Sequence, residues 1–155
     1  MKTPYLKTYF SLGDGVLRIA DQVLTAPKLT RIEFEHGFGQ HMTAQTSAPD
    51  FVVYVPVSVQ LWDRGFVAGI RFFRDVVQGV TLTLEQSKVA ASGYDATEKD
   101  LLAEKKTLTT MLSKQLKCSP TATSLGADVF EFPWGGVVSR VDLKSTWCGI
   151  EVRYQ

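Results

Sequence analysis

The 155-residue chain is poor in the residues and patterns that announce a chemistry. It has two cysteines, Cys118 and Cys148. They make no metal motif, and the expectation is a pair of free thiols in a reducing compartment. Seventeen Lys plus Arg against sixteen Asp plus Glu leave a net charge of +1. A near-neutral protein has no long-range field to gather nucleic acid or an anionic membrane. No apolar run approaches the roughly eighteen residues that a membrane span needs. The start, MKTPYLKTYFSLGDG, has no apolar core of a secretory signal. Together these predict a cytoplasmic protein. No phosphate loop, dinucleotide fingerprint or GxSxG elbow is present, because SLGDG and HGFGQ match none of them. No cofactor is expected.

What remains is ordinary globular composition, with 45% hydrophobic and 21% charged residues. That length and composition suit a single domain over residues 1–155.

The most legible segment is DATEKDLLAEKKTLTTMLSKQLK, residues 95–117. Leu101, Leu108, Met111, Leu112 and Leu116 recur at helical spacing. Asp95 with Glu98, or Thr97 with Asp100, offers a capping box at the start. Pro120 opposes continuation past the end. Glu98, Lys99, Glu104, Lys105 and Lys106 lie mostly off the apolar stripe and read as a solvated face.

Before the helix, DFVVYVPVSVQL alternates Phe51, Val53, Val55, Val57, Val59 and Leu61 on one face, with Pro56 marking an edge or a bulge. WDRG turns the chain into FVAGIRFF, and VVQGVTLTLEQ follows with Val80, Leu82 and Leu84 opposing Thr81, Thr83 and Glu85. Links this short favour an antiparallel meander with one wet face. Further upstream, LTRIEFE alternates and predicts a strand. In GDGVLRIADQVLTAP the spacing of Val16, Ile19, Ala20, Val23 and Leu24 predicts a short helix, with a GDG hairpin turn as the other reading. HGFGQHMTAQTSAPD reads as a long loop or flexible hairpin. The expected fold is α+β: an antiparallel meander of about six strands packed on one long helix, with a second short helix near the N-terminus.

The C-terminal stretch FEFPWGGVVSRVDLKSTWCGIEVRY reads as a kinked hairpin. Cys148, Ile150, Val152 and Tyr154 face the core, and Arg140 or Asp142 meets Glu151 or Arg153 on the other side. Trp134 at the bend either covers the core edge or anchors a recognition surface, since Trp is a frequent interface hot spot. The WDRG tip poses the same choice for Trp62, Asp63 and Arg64, between turn chemistry and a contact loop. Tyr94, ahead of the helix, is a weaker candidate of the same kind. FPWGGVVSRVD followed by GIEVRY resembles the C-terminal ends of immunity proteins that accompany bacterial polymorphic toxins. The resemblance covers the last third and implies a stoichiometric inhibitor of a toxin, with no functional residue carried over.

Catalytic readings are thin. His36 and His41 stand five apart in a glycine-bearing loop, and a metal site needs three or more converging ligands. Cys148 falls on an apolar strand face and Cys118 follows a helix C-terminus, neither of which activates a thiol. Asp14, Asp63 and Asp75 sit in turn-like settings. The expectation is a binding protein without catalysis, and its partner another protein. The alternative is a small enzyme or ligand-binding domain with a pocket between sheet and helix. A convergent polar cluster at His36 or His41 would favour the enzyme. An exposed surface bearing Trp62, Arg64 or Trp134 would favour the binder.

Overall fold

The computed structural model describes residues 6–11, 13–19 and 22–155. Ala20 falls outside them, as does the opening segment 1–5. The side chains of Leu6, Lys7, His41, Ser47, Val55 and Pro56 are likewise outside the description.

The N-terminal third differs most from its sequence pattern. Strands β1 (Leu6–Phe10), β2 (Leu17–Ile19) and β3 (Gln22–Thr25) form an antiparallel set. Among the described residues of 14–25 the expected short helix is therefore not formed, and the hairpin reading holds. Leu17 and Ile19 are buried while Arg18 between them is exposed, a period of two rather than 3.6. The link before β2 closes locally, with the Ser11 N–H donating to the Val16 carbonyl and the Gly15 N–H to that of Ser11.

LTRIEFE is a helix, not the expected strand. Helix α1 (Arg31–His36) starts at a capping box in which the Thr30 hydroxyl accepts from the Glu33 N–H, and the Glu33 carboxylate accepts from the Thr30 N–H. The alternation misled because only Phe34 is buried, while Ile32 stays 67% exposed. Phe34 packs against Tyr54 and Phe72. The Tyr54 hydroxyl donates to Glu35, and Arg31 donates to the same carboxylate at 2.9 Å. The segment read as a loop holds a 3₁₀ turn (Phe38–His41) and edge strand β4 (Ala44–Ala48).

The meander follows as expected, with β5 (Phe51–Leu61), β6 (Arg64–Phe73) and β7 (Val76–Leu84). Trp62 and Asp63 both take positive φ, 52° and 61°, as do Arg74 and Asp75 at 48° and 64°. These are the tight two-residue turns whose twist suits a hairpin. The β5–β6 ladder slips between Tyr54 and Val57, the stretch holding Pro56. The slip reverses which side of β5 faces inward, so Tyr54 is buried together with Val59 and Leu61. One continuous alternating face from Phe51 to Leu61 is therefore not formed.

Helix α2 (Lys88–Ser92) and a 3₁₀ turn (Gly93–Asp95) lead into α3 (Glu98–Leu116). Thr97 caps α3 through the second of the two capping boxes: its hydroxyl accepts from the Asp100 N–H at 3.1 Å. Leu101, Leu108, Leu112 and Leu116 are buried and Met111 is half-buried. The chain closes with β8 (Ala122–Thr123), β9 (Ala127–Phe132), β10 (Gly135–Asp142) and β11 (Trp147–Tyr154).

Among the described residues eleven strands make one sheet, in the order β3-β2-β1-β5-β6-β7-β11-β10-β9-β8, with β4 on β5. The tally exceeds the expected six because the N-terminal third supplies four strands. All pairings are antiparallel except β1 with β5. The inner face carries Ile70, Val80, Leu82, Ile150, Val152 and Val137, all buried. Helix α3 covers it over β10 and β11. The sheet also curls until its N-terminal strands reach β11: the Tyr154 hydroxyl donates to the Gly15 carbonyl at 2.8 Å and lies 2.8 Å from the Thr25 hydroxyl. The outward face bears Gly69, Arg71, Thr81, Glu151 and Arg153, none of them fully buried.

Candidate functional site

The charged face assigned to α3 is only partly solvated. Glu104 and Lys105 are each 8% exposed and belong to the interface with the sheet. The Lys105 ammonium donates to the Ser124 carbonyl at 2.9 Å and pairs with Asp128 at 3.1 Å. The Thr109 hydroxyl donates to Asp128 at 2.7 Å and lies 2.5 Å from the Ser139 hydroxyl. A buried ion pair needs its remaining lone pairs and protons satisfied to offset desolvation, and this one has that shell. The cluster is the polar lock that fixes α3 on β9 and β10. Glu104 faces Ser87, Arg64 and Cys148; burial pushes its carboxyl above the usual value, while Ser87 and Arg64 pull the other way. Cys148, 1% exposed, is pushed up to about 12 by burial and by the Glu104 charge. A thiol this protonated is no nucleophile. Cys118 is exposed, and both thiols are free.

The three tryptophans divide by role. Trp147 packs on the outward face and donates to the Thr83 hydroxyl at 3.1 Å. Trp134 is 9% exposed. It stacks on Phe132 at 5.4 Å, meets Phe10 edge-on at 5.8 Å and tilts against Tyr154 at 5.8 Å. Its indole thus joins the first strand to the last hairpin, which is the core-covering reading of the FPWGG bend. Trp62 also turns its ring to Phe10, at 6.4 Å, and is half-buried.

The remaining candidates are Asp63 and Arg64 on the β5–β6 tip and Tyr94 on the turn after α2. Phe66 pairs with Leu84, so the β5–β6 tip and the C-terminal end of β7 lie side by side. The Glu85 N–H donates to the Gly65 carbonyl at 3.1 Å, which fixes the exit toward α2 beside Arg64. Asp63 and Arg64 are exposed on the tip, with Trp62 holding it from below. Tyr94, on the turn after α2, is 91% exposed. That turn is pinned on both sides. Val89 and Ala96 are each 8% exposed, the Ala96 N–H donates to the Gly93 carbonyl at 3.2 Å, and Lys88 pairs with Asp100 at 3.2 Å. Tyr94 is therefore an aromatic held out on a fixed turn.

The chain matches no known protein-family model, no curated protein and no solved structure.

His36 is exposed at the end of α1. Among the described residues, no three of His, Cys, Asp and Glu come together in a way that would hold a metal ion. Among the same residues no helix is long and apolar enough to cross a membrane. Asp14, Asp63 and Asp75 all lie in turns. The cross-strand pair expected on the outer face forms between Arg140 and Glu151, 2.5 Å apart, and Arg153 joins the same carboxylate at 2.8 Å.

Of the two outward arginines, Arg153 was read only as a cross-strand partner and Arg71 was not picked out by sequence pattern. The signal lay in GIRFF and EVRY, where each follows an inward Ile70 or Val152. What alternation does not reveal is that β7 and β11, distant in sequence, are neighbours.

Proposed function

We infer that this chain is a cytoplasmic, non-catalytic binding protein that recognises another protein through Asp63, Arg64 and Tyr94. The reading fits an immunity protein that masks a toxin. The observation that carries it is Tyr94, 91% exposed on a turn fixed between two helices, with Arg64 exposed on the β5–β6 tip. Tyr and Arg lead the residues that act as interface hot spots, and a pre-fixed anchor loses little entropy on binding. The rigid turn at Trp62 and Asp63 serves the same end by holding Arg64 in place.

Growth rescue tests the reading. The neighbouring gene is expressed alone and then together with this chain. The expected result is a toxic neighbour, relieved by the wild-type chain and poorly relieved by a Tyr94→Ala, Arg64→Ala double variant of unchanged melting temperature. A harmless neighbour, or full rescue by the double variant, contradicts it.

A further inference from the structure

The outward face of the sheet, on the side away from α3, opens into a cleft of about 470 Å³. Two irregularities in the ladders shape it. On one flank of β6 the register slips between Tyr54 and Val57; on the other, β7 carries Gln78 as an extra residue opposite the Arg71–Phe72 step. Bulges sharpen local twist and redirect side chains, and here both act on the same stretch of β6.

The floor is bare where the charges meet. Arg71 pairs across to Gly79, and Gly79 to Arg153. Two arginines thus flank a position with no side chain, their backbones two strand spacings apart, roughly 10 Å. Gly79 has its own reason to be glycine, since a Cβ there would sit 2.3 Å from the Val152 carbonyl oxygen. Arg153 is held by Glu151 at 2.8 Å, and the same carboxylate takes Arg140 at 2.5 Å. Arg71 has no acidic partner among the described residues. The lining holds three arginines and one glutamate, a surplus of two positive charges. Thr81 and Gln78 add neutral hydrogen-bonding groups at the wall.

We propose that this cleft binds a small dicarboxylate, one carboxylate on Arg71 and the other on Arg153, spanning Gly79. The volume lies in the range of small-molecule sites. The guanidinium fork of Arg71 matches a planar carboxylate through two parallel hydrogen bonds, while Arg153, whose Nε and Nη2 already reach Glu151, offers its remaining N–H groups to the second carboxylate. Two cations on separate strands fit two separated anionic groups better than one compact anion, which is why a dicarboxylate is favoured over phosphate. The site is distinct from the turn bearing Tyr94 and does not depend on it.

Calorimetry and thermal shift with succinate, glutarate and inorganic phosphate test this. A dicarboxylate should bind at millimolar concentration or better and raise the melting temperature with the logarithm of its concentration. Arg71→Gln and Arg153→Gln should each weaken it roughly tenfold or more. Arg71→Lys should recover only part, since it keeps the charge and loses the fork. Arg74→Gln, on the exposed β6–β7 turn, should change nothing. No binding of either dicarboxylate, equal binding of phosphate, or unchanged affinity in Arg71→Gln would each overturn the proposal. Arg71 is exposed, so the fold should survive its replacement, and a melt of each variant without ligand verifies that.

Discussion

Gly15 lies so close against the indole of Trp134 that a Cβ at that position would sit 2.3 Å from Cδ2. The two residues come from opposite ends of the chain, and their contact closes the curl of the sheet. Gly15 also holds φ at +72°, where a side chain adds strain. Gly15→Ala should therefore destabilise the fold through both clash and backbone. Trp134→Ala should cost about 3–5 kcal/mol, the usual range for removing a buried large aromatic. Urea unfolding measures both. An unchanged midpoint for Trp134→Ala would mean that the indole does not hold the two ends together.

Leu108 and Leu112 are wholly buried where α3 meets the sheet. Leu108→Asp or Leu112→Asp places an unpaired carboxylate there, and either should cost more than about 4 kcal/mol. Circular dichroism melts should show loss of the cooperative transition. Retained wild-type melting in both would mean that α3 is not docked on these residues.

Burial raises the Glu104 carboxyl above its ordinary 4.5. The folded chain therefore keeps this proton to higher pH than the unfolded chain does. The stability linked to it is fully present below the unfolded value and is lost as pH rises through the folded one. Glu104→Gln removes that titration, so its stability relative to wild type should climb as pH rises above the ordinary carboxyl value of 4.5. Denaturation midpoints of the two proteins over that rise in pH decide the point. A constant difference would mean that Glu104 does not titrate abnormally.

The thiols should separate cleanly. Cys118 is exposed, and Cys148 is 1% exposed with its thiol pushed up to about 12. At pH 8 an alkylating reagent should label Cys118 in the native protein and reach Cys148 only after unfolding. Mass spectrometry of the labelled peptides reads this directly. Rapid native labelling of Cys148 would contradict the packing of β11 under α3.

How much of this was legible in the sequence follows from how local each signal is. Helix α3, the β5–β6–β7 meander and the β10–β11 hairpin are built from neighbours in the chain, so periodicity and turn residues located them. The N-terminal third was misread in both directions. In α1 the Thr30–Glu33 cap outweighed a two-residue alternation, and around β2 the fit of Val16 and Ile19 to helical spacing masked a strand pair. Glu104 and Lys105 looked solvated because their partners, Cys148 and Asp128, come from strands far along the chain. Of the candidate contact residues, Asp63, Arg64 and Tyr94 are exposed, while Trp134 lies in the core. The outward arginines could be placed on a face but not beside each other without the strand order.

Protein recognition at the turn bearing Tyr94 is tested most directly by a photo-crosslinking amino acid installed at position 94 in the native host. Position 131, exposed on β9, carries the same group as a control. The account predicts one discrete crosslinked partner from position 94, weakened by Arg64→Ala, and none from position 131. A position 94 probe that crosslinks nothing, or gives the same products as position 131, would contradict it.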